Sequence, residues 1–200
     1  MSERAFLDVD TQADFVEPGG KLYAAGAEAI KPNLEQLVRH ADRNGIPLIS
    51  CVDAHPADDP EFKDWPPHAI VGTPGQLKIA ESRTNGMVFV PSGHQSQLPD
   101  PKREHVVLEK QHFNCFTNEN AEEVFAATGA KTVVVFGVVT EVCVRQAAEA
   151  LLEHGYQVEL VTDAIWPLDQ AKGEEVLAEL EAKGARRTLT ADVLAQPVAS

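Results

Sequence analysis

Residues 131–155 read KTVVVFGVVTEVCVRQAAEALLEHG. The opening part, 131–137, is a near-continuous β-branched run of the kind found in a strand buried on both faces. Residues 141–153 then carry a helical pattern that His154 and Gly155 stop. A strand that feeds a helix through a short turn is the unit from which parallel sheets are assembled.

The same unit recurs on either side. Residues 5–9 form an apolar run ending at Asp10, and a helix pattern over 27–43 places Ile30, Leu34, Leu37, Val38 and Ala41 on one face before Gly45. Apolar runs follow at 46–52 and 105–109, a helix pattern at 118–128, a strand at 157–162, a helix at 169–183 closed by Gly184, and an edge strand at 186–189. The alternation predicts an α/β fold, a three-layer sandwich around a central, mostly parallel sheet of about six strands, with right-handed crossovers placing helices on both faces. The chain of 200 residues suits one domain over 1–200. Residues 54–104 interrupt the rhythm. They are rich in Pro, Gly and polar side chains, and so long a loop inside a compact domain is usually functional.

Composition narrows the partners. A net charge of −14 repels phosphate backbones and anionic lipid, so neither nucleic acid nor a membrane is expected. The longest apolar run, 133–139, is far too short to cross a bilayer, and the polar opening carries no secretory signal. Three cysteines without paired spacing point to reduced thiols and a cytoplasmic location. No surface stripe fixes the oligomeric state, and a homo-oligomer is left open.

In open parallel sheets, ligands bind beyond the carboxyl ends of the strands. Those ends here carry Asp10, then Asp53 with His55, then Lys110, then the turn into Cys143. Cys143 falls in the first turn of a helix, capped by Thr140, where the thiolate, the reactive form, is favoured. Asp10 is placed to accept the thiol proton. Lys110 would favour both anions. Asp53 and His55 are two residues apart on a strand end, so their side chains point the same way. With His68, and with Glu61 as a fourth oxygen, they offer ligands to zinc, iron or manganese. Each residue also has a plain structural reading. Cys143 suits a small buried hydrophobe, Asp10 a loop-capping carboxylate, Lys110 a surface lysine, and the Asp/His set polar loop contacts. Cys51, inside a strand, reads as core, and Cys115 as a bystander or an oxidation-prone neighbour.

Four stretches carry a likeness to a known family: Asp8-Val9-Asp10-Thr11-Gln12-Ala13-Asp14-Phe15; Asp53-Ala54-His55 with Trp65-Pro66-Pro67-His68 and Gly72-Thr73-Pro74-Gly75; Glu109-Lys110; and Gly137 to Val144. Over nearly the whole chain, the sequence resembles nicotinamidases (pyrazinamidases) of the isochorismatase-like cysteine hydrolase superfamily. The resemblance implies a trio of Asp10, Lys110 and Cys143, and one divalent metal ion, zinc before iron or manganese, held by Asp53, His55 and His68. Glu61 stands where some members supply a further carboxylate. It further implies a cis peptide between Val138 and Val139 and an oxyanion hole from the backbone N–H groups of Val139 and Cys143. Phe15, Trp65, Val138 and Val139 would line a substrate site for nicotinamide, cleaved through a thioester. Glu141-Val142 and Asn114-Cys115-Phe116 depart from the usual pattern beside the pocket. Three other readings stay open: a relative cleaving a carbamoyl or ureido amide, a non-catalytic ligand-binding relative, and a redox protein using Cys143 and Cys115.

Overall fold

The apolar runs become strands that pair only in parallel, in a computed structural model that describes residues 3–197. Met1, Ser2 and residues 198–200, the two ends of the expected domain, lie outside the described residues. The strands are β1 (Arg4–Val9), β2 (Leu48–Asp53), β3 (Met87–Val90), β4 (His105–Lys110), β5 (Thr132–Val138), β6 (Gln157–Trp166) and β7 (Arg186–Thr188). They form one sheet in the order β3-β4-β2-β1-β5-β6-β7. Helices α1 (Ala13–Val16), α2 (Lys31–Asn44), α3 (Ala121–Thr128), α4 (Arg145–Glu153), α5 (Gln170–Ala182) and α6 (Thr190–Ala195) flank it. None of the described helices is long and apolar enough to cross a membrane.

The sheet gains a strand over the expected six. β3 forms inside the long segment at 54–104, where four apolar residues pair with β4 through Met87↔His105 to Val90↔Leu108. Four residues are too few for a periodic signal, and only the exposed edge of β4 makes them a strand. The expected helix at 27–43 divides: Ala27–Ile30 is a 3-10 turn and the α-helix starts at Lys31, with Pro32 in its first turn. Proline is tolerated there because its missing N–H has no helical partner. Gly45 closes α2 in the left-handed conformation at φ 62°, as the sequence indicates.

The topology positions the site. Chain order runs from β1 to β2 and on to β4 on one side, and from β5 to β7 on the other, so the direction reverses between β1 and β5. A crevice opens beyond the carboxyl ends of the strands at such a reversal. Register sets which residues meet there: Asp53 is the direct neighbour of Lys110, and Val9 of Gly137. Gly137 has φ 120°, and a Cβ on it would lie 2.0 Å from the Val9 carbonyl oxygen, so only glycine lets β5 run this close to β1. Beneath the crevice, Phe6, Leu7, Val9, Val133, Val134, Val135 and Phe136 are wholly buried.

Candidate active site

Lys110 is the hub. Its side chain is completely buried, and its ammonium donates to Asp10 Oδ2 at 2.9 Å and, through a very short contact, to Asp53 Oδ1. The Cys143 sulfur lies 3.8 Å from the same nitrogen. Asp10 follows the last residue of β1 with φ 48°, a left-handed conformation that turns the chain away from the strand direction. Its own N–H donates to the Cys51 carbonyl at 3.0 Å, anchoring that turn to β2. Cys143 enters from the other side of the crevice, in a π-helical turn (Thr140–Val144) leading into α4. Val144 N–H donates to the Val139 carbonyl at 3.1 Å, five residues back. The Val138–Val139 peptide is cis. The expected Thr140 cap is absent: its buried hydroxyl makes no hydrogen bond, because the wide π turn replaces the α-helical start that a capping side chain would satisfy.

Burial and charge divide the acids. Burial raises the Asp10 carboxyl to about 7, although Lys110 pulls it down, and Asp53 adds to the rise. Burial also works against ionised Asp53. There the Lys110 charge and its hydrogen bond win, helped by the nearby His55 and His68 rings, and hold Asp53 well below the usual carboxylate range. Burial pushes the Cys143 thiol far up despite Lys110, so the resting sulfur is protonated. Lys110 is held well above its ordinary value, its burial outweighed by Asp10 and Asp53. Asp10 and Cys143 perturb one another directly, though Asp10 Oδ1 has no well-aligned hydrogen bond. A carboxyl that titrates near neutrality beside a protonated thiol is placed to act as its base.

Asp53 faces two ways. Its Oδ1 belongs to Lys110, and its Oδ2 lies 3.7 Å from His55 Nε2 and 3.8 Å from His68 Nε2. The ligand atoms of Asp53, His55 and His68 all fall within 4.8 Å of one another. Each ring is turned by its other nitrogen: His55 Nδ1 pairs with Asp59 Oδ2 at 3.0 Å, and His68 Nδ1 with the Pro66 carbonyl at 2.7 Å. His55 Nε2 is buried with no hydrogen-bond partner. An orphaned imidazole nitrogen, a second ring and a carboxylate fit a divalent cation, since ligands about 2.0–2.2 Å from one ion stand a few ångströms apart. Without a cation, both rings are drawn above their usual values by Asp53 against their burial, His55 to about 9. Glu61 sits farther out, half-buried, with Oε1 3.8 Å from His68 Nε2.

The sequence motifs contain the scaffold of this cluster without announcing it. Gln12 donates to the Asp53 carbonyl and accepts its N–H, at 2.8 and 2.7 Å, which fixes the end of β2. Asp14 accepts from Ala69 N–H at 2.8 Å and from Lys21 N–H at 3.0 Å, so it holds the residue after His68. A Cβ on Gly75 would come within 2.4 Å of all three atoms of that carboxylate group. Asp59 was not foreseen. A carboxylate four residues beyond a candidate histidine ligand was the available signal.

The pocket above the thiol, about 420 Å³ with its mouth, has Phe15, Trp65, Val138 and Val139 in its lining. Val142, already placed beside the pocket, and Leu22, Phe113 and Leu168 complete it, and the last three could not be read from the sequence. Its polar residues are Asp10, Asp53, Glu61 and His68, and among the described residues no arginine or lysine lines it. Cys51 and Cys115 are buried in the core against each other, and all three cysteines are free.

A model of the isochorismatase domain family matches residues 4–192. A nicotinamidase/pyrazinamidase of Mycobacterium tuberculosis is 27% identical over 173 residues, covering 80% of this chain and 84% of that protein. The crystal structure of a Pyrococcus horikoshii pyrazinamidase in complex with zinc superposes with a TM-score of 0.78 at 26% identity, covering 94% of this chain and 99% of the other. The N-carbamoylsarcosine amidase of Thermoplasma acidophilum superposes with a TM-score of 0.77 at 25% identity, over 95% and 97% of the two chains.

Proposed function

This chain belongs to the isochorismatase domain family, and we propose that within it the protein is a cysteine amidohydrolase converting nicotinamide to nicotinate and ammonia. The observation that carries the reading is the Lys110 hub, which brings Asp10 and Cys143 together at the floor of an apolar slot. Asp10 takes the proton of Cys143, and the thiolate attacks the amide carbon. Lys110 keeps its proton and offsets the charge passing between sulfur and carboxylate. The oxyanion is received by the backbone N–H groups of Val139 and Cys143, each such donor being worth about 3 kcal/mol in comparable sites. Asp10 returns its proton to the leaving nitrogen, and ammonia departs from a thioester. Asp10 then deprotonates a water that cleaves the thioester, releasing nicotinate and restoring the thiol. Asp53, His55 and His68, with Glu61 at the rim, would hold one divalent ion, zinc before iron or manganese. Its chemistry when bound is Lewis-acidic anchoring of a ring nitrogen.

The pocket lining favours this substrate over carbamoyl and ureido compounds that carry a carboxylate. An anionic end would meet Asp10, Asp53 and Glu61, and among the described residues no arginine or lysine lines the wall to receive it, His68 and the ion it would hold being already paired with Asp53. A flat neutral ring instead finds Phe15, Trp65 and Phe113. The test is ammonia release from nicotinamide beside a set of anionic amides. Nicotinamide should have the highest kcat/KM, and Cys143→Ala should abolish turnover in a folded protein. Faster cleavage of an anionic amide overturns the substrate, and an active Cys143→Ala enzyme overturns the mechanism.

A further inference from the structure

Glu141 stands two residues before the thiol, and its side chain leaves its own turn. Oε1 accepts the backbone N–H groups of both Leu168 and Asp169, each at 2.9 Å. Oε2 is buried without a hydrogen-bond partner. Leu168 is half exposed, yet its side chain lines the pocket over Cys143. The segment that carries it is held at both ends. A Cβ on Gly173 of α5 would lie 2.6 Å from Pro167 Cβ, and Asp169 caps α5 by accepting Lys172 N–H at 2.9 Å. Before it, Trp166 donates to the Ala25 carbonyl at 2.9 Å. Between these anchors, the two N–H groups at the pocket wall are taken by one carboxylate from the nucleophile turn.

We propose that Glu141 is a positioning residue whose carboxylate ties the Cys143 turn to the Leu168 segment and thereby sets the width of the substrate slot. The inference rests on the amidohydrolase reading for its kinetic consequences and on the hydrogen bonds alone for its structural one. A loop placed by a charged acceptor of two N–H groups loses its register when that acceptor goes, since such bonds are the stronger class. Leu168 would then withdraw from the ring of the amide. Loss of one apolar wall contact weakens binding about tenfold, the lower end of what a small hydrophobic contact discriminates.

The test compares Glu141→Ala, Glu141→Gln and Leu168→Ala, with nicotinamide and a ring-methylated nicotinamide as probes. Glu141→Ala should raise KM for nicotinamide about tenfold, with a smaller change in kcat, and should shift preference toward the methylated ring. Leu168→Ala should shift preference in the same direction, and the double variant should add little. Glu141→Gln keeps an oxygen acceptor and should restore most of the loss. Amide hydrogen exchange at Leu168 and Asp169 should accelerate in Glu141→Ala and stay slow in Glu141→Gln. A fall in kcat with KM and preference unmoved overturns the proposal, as does unchanged exchange at the two amides. If Glu141→Ala does not fold, an unshifted preference in Leu168→Ala overturns it. If no amide is turned over by the parent enzyme, the proposed function fails, and exchange in Glu141→Ala against the parent decides the tie by itself: faster exchange at the two amides supports it, and equal exchange overturns it.

Discussion

Replacing Asp10 by Asn should destroy activity and at the same time strengthen the fold. In the folded chain the Asp10 carboxyl stands near 7, against 3.8 for an ordinary aspartate, because it is fully buried. A pKa raised by folding contributes stability that is complete below about pH 3.8 and is lost as pH rises through the folded value. At about pH 8 the folded protein therefore carries an ionised Asp10 that costs roughly 4 kcal/mol, at about 1.36 kcal/mol for each pH unit between the two values. Asparagine has the same shape and no charge, and Lys110 retains Asp53 as its counter-ion. The variant should be more stable than its parent by up to about 4 kcal/mol near pH 8, shrinking to about 1–2 kcal/mol near pH 5. Urea unfolding of both proteins at the two pH values measures this. A chelator belongs in both samples, since a cation at Asp53 would lower the Asp10 carboxyl. A variant less stable than its parent near pH 8, or a difference that ignores pH, would refute the reasoning.

The ring-turning role of Asp59 predicts that Asp59→Ala weakens zinc binding about 10- to 100-fold, read by titration with a competing chromophoric chelator. Gly75→Ala should cost about 1–3 kcal/mol in denaturant unfolding, because a new methyl group meets the Asp14 carboxylate that holds Ala69 beside His68. His105, buried between Ser50 and Thr84 and pushed down to about 3 by burial and by Lys78, stays neutral when folded. The unfolded chain binds its proton first, so stability should fall by up to about 1.4 kcal/mol per pH unit below about 6.5, a slope that His105→Gln should reduce.

Two structural features were legible because they are local. Val133 to Val135 can only be a two-sided buried strand, and Leu34, Leu37, Val38 and Ala41 repeat at helical spacing. Reading off strand ends was enough to gather Asp10, Asp53, Lys110 and Cys143, because a parallel sheet brings its carboxyl ends to one edge whatever the loops do. The same logic missed β3, Asp59 and the walls formed by Leu22, Phe113 and Leu168. These come from segments with no period of their own, and each owes its position to a partner far away in the chain.

The amino-acid order thus determined the alternation of strands and helices and the set of reactive groups on one rim, since both follow from side-chain periodicity and from the direction of parallel strands. Only the folded chain decided how the groups share their charges. Asp53 gives one oxygen to Lys110 and turns the other to two imidazoles, while Asp10, held by the same lysine, is left near neutrality. That division depends on burial and on distances of a few ångströms between residues dozens of positions apart, which no local pattern encodes.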